Sequence, residues 1–184
     1  VIGLVLGFLV AIIRSTHDKT GKFGILNAIC KLYLTVIRGT PVIVQLLVIY
    51  FLWLSPRGVS AELTAILAFG INSGAYVAEI FRSGIMSIDN GQFEAGRSLG
   101  FNYVQTMQYI IIPQAFKNVL PALANEFIVL LKETSVASFV SVADLTYAGN
   151  VIGGVSYDYL FPLLLTAVIY LAMVMFFTYL EGKL

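Results

Sequence analysis

The chain has 184 residues, of which 59% are hydrophobic and 11% charged, and its mean hydropathy is +0.90. Soluble domains do not carry that balance, so the composition is that of an integral membrane protein. A formal net charge of +1 offers no basic face for phosphates, which excludes a nucleic-acid partner, and the single cysteine, Cys30, allows neither an internal disulfide nor a thiolate metal cluster.

In chain order, residues 1–13 form an apolar run that as a helix reaches only about 20 Å, and it reads as the second half of a span whose start is missing. The polar run RSTHDKTGK follows, with His17 as a solvated loop histidine and no metal ligand. Residues 29–54, 63–85, 119–131 with a less regular continuation to 145, and 159–180 are each candidate crossings. The expected fold is all-α and polytopic, with five spans in the intact protein. Arg14, Lys19, Lys22, Lys31, Arg38, Arg82, Arg97, Lys117 and Lys183 fall on one side of such an arrangement. Only Arg57 and Lys132 do not, and the positive-inside bias puts the first group in the cytoplasm.

Residues 94–116, EAGRSLGFNYVQTMQYIIIPQAF, interrupt the spans on that cytoplasmic side. Their chemistry is that of two short helices joined by a corner. Asp89 or Asn90 can cap the first, and Gly100 supplies the left-handed residue that ends it, leaving Phe101 free to pack back. Asn102 can cap the second, along which Tyr103, Met107, Ile110 and Ile111 recur at helical spacing. Pro113 is expected in the first turn of the next helix, where its missing amide costs nothing. The product is a knob with one apolar face, which either rests on the membrane surface or is covered by another protein.

Glu94, Ala95 and Gly96, then Gly100, then Ile110, Ile112 and Pro113 resemble, in order and spacing, the EAA loop of type I ATP-binding cassette importer permeases, with Gly96 where alanine is usual. VIRGTPVIVQLLVIYF, INSGAYVAEIFRSGI and NEFIVLLKETS are similar to the polar amino-acid uptake branch of that family. The resemblance implies one transmembrane domain over residues 1–184, with coupling helices at 89–113 that dock on a cytoplasmic ATPase through Glu94, Ala95, Gly96, Gly100, Phe101, Asn102 and Pro113. It also implies a bacterial-type inner membrane, a second permease subunit, alike or similar, and an extracytoplasmic amino-acid-binding protein. ATP and Mg would belong to the ATPase. The chain shows no GxxxxGK[ST] phosphate loop of its own, and no grouping of nucleophile, base and orienting residue marks an enzyme.

Polar residues inside the spans outline a candidate substrate pathway. Asn72, Tyr76, Glu79 and Ser83 share one helical face, and a carboxylate at membrane depth costs about 2.5–3.5 kcal/mol unless it is paired or wet. Glu79 either faces the pathway or pairs with Arg82 three residues on. Glu126 lies within an apolar span, and Ser135 and Asp144 follow it in a stretch bearing both signs of charge. Pro41 in RGTP predicts a kink or local unwinding, of the kind that often borders a path, with Gln45 beyond it. Gly3, Gly7 and Ala11, and Gly70, Gly74 and Ala78, are small-residue ridges suited to close helix packing. The expected function is ATP-driven import of a polar or charged amino acid; the alternative is a non-transporting scaffold or sensor that kept the ATPase joint.

Overall fold

The computed structural model describes residues 1–183, and among them every regular element is helical. Helix α1, Ile2–Thr20, does not end with the apolar run: it continues through the polar stretch, so His17 sits in its last turn rather than in a loop. Gly21, with φ 70°, closes it by donating its amide to the His17 carbonyl. At about 1.5 Å per residue such a helix is about 28 Å long.

The expected single span over 29–54 is two arms. Helix α2, Gly24–Arg38, and helix α3, Val42–Val48, which runs on through a π-turn at Ile49–Leu54 and a 3-10 turn at Ser55–Arg57, meet at 106°. Pro41 takes an extended backbone (φ −65°, ψ 139°), so the ladder stops instead of merely kinking. Helix α4, Ala61–Met86, starts on the Ser60 hydroxyl, which accepts the Leu63 amide at 3.3 Å, with Glu62 in its first turn against the positive helix end.

Helices α5, Asn90–Ser98, and α6, Tyr103–Thr106, form the corner. Helix α6 passes through a π-turn at Met107–Ile111 straight into α7, Ile112–Glu133, with Pro113 in the first turn of α7 as expected. Pro121 lies farther inside the same helix. A 3-10 turn at Thr134–Val140 leads to α8, Leu145–Ser156, an element not foreseen in the sequence, and α9, Leu160–Glu181, closes the chain.

Helices α4 and α9 are each long and apolar enough to cross a membrane, and the bent α2–α3 pair passes the same test if taken as one span. The most extensive packing joins α1 to α4, and small residues make it possible. A methyl added to Gly7 would meet Val77 at 2.6 Å and one on Gly70 would meet Ile2 at 2.8 Å, so the two ridges are packing seams. Helix α7 also packs on α4, with Ala11 of α1, Val77 and Phe81 of α4 and Val119 of α7 in one cluster. Helix α9 buries only Thr166 and holds to α7 and α8 at the periphery, with Phe127 and Phe177 edge to face at 5.1 Å.

Candidate functional site

Two features stand out, the corner at 89–113 and a polar recess, and α4 and α7 run from one to the other. The corner is built by local hydrogen bonds. Asp89 accepts the Gly91 amide at 2.6 Å and opens α5. Gly100, at φ 82°, closes it: its amide donates to Arg97 and that of Phe101 donates to Gly96, the paired bonds of a Schellman ending. Asn102 and Gln105 form a reciprocal capping box, each side chain accepting the other's backbone amide at 2.9 Å. Phe101 packs back on Tyr109 with ring centroids 6.0 Å apart.

The apolar face along Tyr103, Met107 and Ile111, expected to rest on the membrane or under another protein, is covered by the chain itself. Met107 and Ile111 are buried with Ile85, Ile88 and Ala115, and Tyr103 packs against the same cluster. Burial pushes the Tyr103 phenol above its ordinary range. The face left exposed carries Leu99, Val104 and Tyr109, with Glu94, Ala95 and Arg97 on α5. Gly96 is buried because Thr106 lies against it; a methyl there would meet the Thr106 side chain at 2.6 Å. Pro113 is exposed at the start of α7. The corner is tied to α1 as well: the Lys19 ammonium donates to Asn90 at 3.0 Å and lies 4.7 Å over the Phe93 ring.

Glu79 does not pair with Arg82. Arg82 reaches Asp18 at 3.0 Å, while Glu79 accepts from Arg14 at 2.6 Å and has Arg38 at 4.0 Å. Side chains three apart on a helix can meet, but α1 lies closely enough on α4 for cations and acids of the two helices to pair across the seam instead. A cleft of about 440 Å³ is lined by Arg38, Tyr76, Glu79, Ser83, Asn118 and Glu126, among others. A second recess of about 550 Å³ meets it at Arg38, Tyr76 and Glu79 and adds Arg14 and Lys31. Glu126 accepts the Ser73 hydroxyl at 2.9 Å and also borders a large apolar groove between α1, α4 and α7.

The other pathway candidates sit elsewhere. Gln45 is engaged with the backbone of the break: its amide nitrogen donates to the Ile37 carbonyl at 2.7 Å, the Thr40 carbonyl at 3.0 Å and the Thr40 hydroxyl at 2.8 Å, while its oxygen accepts from Asn72 at 3.0 Å. Asn72 is 2% exposed, behind the cleft rather than in it. Asp144 caps α8 by accepting the Tyr147 amide at 2.6 Å, and the Ser135 carbonyl accepts the Ser138 hydroxyl in the 3-10 turn. Arg14, Lys31 and Arg38 are the recess cations that sequence reasoning passed over. All three were assigned to topology, and the one available signal was the position of Arg38 immediately before a helix break.

The family model for the binding-protein-dependent transport system inner membrane component matches residues 3–184. The chain is 38% identical to the putative glutamine transport system permease protein GlnP of Rickettsia typhi, over 97% of this chain and 81% of that one. It is 37% identical to the arginine transport system permease protein ArtQ of Bacillus subtilis, over 100% and 82%. A crystal structure of an amino acid ABC transporter with histidines superposes with a TM-score of 0.89 at 43% identity, covering 99% of this chain and 83% of that one. The MetNI methionine ABC transporter in an inward-facing form shares the fold, with a TM-score of 0.77 at 19% identity, covering 99% and 85%. The chain therefore belongs to the inner membrane components of binding-protein-dependent transport systems, as a permease subunit of an ABC importer, a family in which ATPase activity lies in a separate subunit.

Proposed function

We propose that this permease imports a polar or charged amino acid into the cytoplasm by ATP-driven alternating access. It works as one of two membrane subunits beside two cytoplasmic ATPase chains and an extracytoplasmic binding protein in a bacterial-type inner membrane. One observation carries the reading: the capped corner at 89–113 connects α4 directly to α7, the two helices that bear Glu79 and Glu126 in the cleft. A displacement of the corner by a partner is thus passed along two helices that both line a polar recess. Rigid elements with two arrangements can carry coupling in that way. The face of Leu99, Val104 and Tyr109 is where an ATPase docks, and ATP with Mg is held by that ATPase and not by this chain. The amino-acid and glutamine permeases among the relatives support the cargo class.

The test is uptake by the complete complex reconstituted in vesicles, screened over the twenty amino acids with ATP. Accumulation of one or a few polar or charged amino acids, with hydrolysis stimulated by the loaded binding protein, is the expected result. Hydrolysis without accumulation of any of them would indicate the scaffold or sensor instead.

A further inference from the structure

We propose that the Arg38 guanidinium receives the α-carboxylate of the transported amino acid, an assignment that rests on the import reading above. The two polar recesses meet at Arg38, Tyr76 and Glu79, and the larger holds three cations, Arg14, Lys31 and Arg38, against one anion, Glu79. With Glu126 of the smaller cleft the joined space carries three cations against two carboxylates, an excess of one positive charge, and the excess lies on the side of the larger recess, which favours an anionic group there.

Of the three cations, Arg38 is placed to bind it. Arg14 already holds Glu79 at 2.6 Å and its side chain is only 14% exposed, whereas Arg38 stands 4.0 Å from the same oxygen and is 45% exposed. At 4.0 Å Arg38 feels the charge of Glu79 but makes no hydrogen bond to it. Its carbon lies 5.7 Å from the centre of the Tyr76 ring, a contact that leaves the in-plane donors free. A guanidinium fork with unspent donors matches a carboxylate in two parallel hydrogen bonds. Its position is also set by the fold: Arg38 is the last residue of α2, and Gln45 bonds to Ile37 and Thr40 on either side of the break.

The smaller cleft also holds the opposite charge. Glu126 lines the same space as Arg38, with the Ser73 hydroxyl on one of its oxygens. A zwitterion lying between them would set its carboxylate on Arg38 and its ammonium toward Glu126. It would replace the loose Arg38–Glu79 contact without breaking the Arg14–Glu79 bond.

The experiment measures binding to the purified permease–ATPase complex in lipid nanodiscs, with the binding protein left out so that its own selectivity does not enter. The probes are L-arginine and L-glutamine, each against its α-carboxamide, L-argininamide and L-glutaminamide. For a probe that binds, the acid should bind wild type at least about tenfold more tightly than its amide, since the amide leaves a charged donor pair unmatched. Arg38→Gln should weaken the acid about tenfold and erase the preference over the amide, while Arg38→Lys keeps part of it as a point charge. The double variant Arg38→Gln/Glu79→Gln should stay as weak as Arg38→Gln. If Arg38→Gln kept the acid-over-amide preference, or if Glu79→Gln restored binding to it, Arg38 would be a counter-ion of Glu79 and the assignment would fall. A wild-type complex that accumulates an amino acid in vesicles but shows no acid-over-amide preference overturns the assignment alone. One that accumulates none of the twenty overturns the import reading, and this assignment with it.

Discussion

At the residue scale the two glycines of the corner act for different reasons. Gly100 sits at φ 82° with open space where a side chain would go, so the constraint is backbone strain alone. Gly100→Val should cost about 1–3 kcal/mol, re-aim α5 against α6, and uncouple ATP hydrolysis from uptake at wild-type expression. Normal uptake by that variant would refute it. Gly96 has an ordinary helical backbone, and its constraint is space: the Thr106 side chain occupies the room a methyl would need. Gly96→Ala alone should overpack the corner by about 1–3 kcal/mol and lower the melting temperature of the complex, and Gly96→Ala/Thr106→Ala should recover most of the loss. A double variant no more stable than the single would show that Thr106 is not the obstacle. The cap positions Asp89, Gly100 and Asn102 were legible in the sequence because each hydrogen bond closes within a few residues. The neighbour of Gly96 was not, since it comes from the next helix.

At the element scale the feature that matters most is the break between α2 and α3. Breaking a helix in a membrane frees carbonyls that lipid cannot satisfy, so some side chain must meet them. Gln45 does so for Ile37 and Thr40 with one amide group, and Asn72 of α4 holds the other end of that amide. Gln45→Ala should therefore leave two carbonyls and the Asn72 amide short of a partner. The expected loss is about 1–3 kcal/mol per group that water cannot reach, read as a lower unfolding midpoint in detergent. Gln45→Glu keeps an acceptor for Asn72 but loses the donors, so it should be nearly as unstable as Gln45→Ala. Equal stability of all three proteins would mean that the angle is held by packing alone. Pro41 made a disturbance here predictable, but the angle of 106° was not, because proline specifies where a ladder stops and not which neighbour the next helix will lean on.

At the scale of the whole molecule the corner packs on the α1–α4–α7 body with Met107, Ile111 and Tyr103 turned inward, and it leaves Leu99, Val104 and Tyr109 exposed. The exposed face therefore mixes these three apolar side chains with Glu94 and Arg97 of α5. Single cysteines at Leu99, Phe101, Asn102 or Val104 should crosslink to the ATPase in the assembled complex, with a yield that changes on adding nucleotide. A cysteine at Met107 should not crosslink, being buried at 6% exposure. Efficient crosslinking from position 107, or none from 99 and 104, would show that the corner is turned the other way in the complex.

The sequence by itself determined the membrane class, the small-residue seams, the caps and corner at 89–113, and the family resemblance. Each rests on composition, or on residues that act within one or two helical turns of each other. Only the tertiary structure decided which cation holds Glu79, which way Met107 and Tyr103 face, and that Gln45 and Asn72 brace a broken helix. Arg82 is three residues from Glu79 and Arg14 is 65, yet Arg14 makes the bond. The reason is physical: an ion pair inside a helical bundle depends on distance across packed faces, and close approach of α1 to α4 through glycine seams brings Arg14 within reach while Asp18 draws Arg82 away.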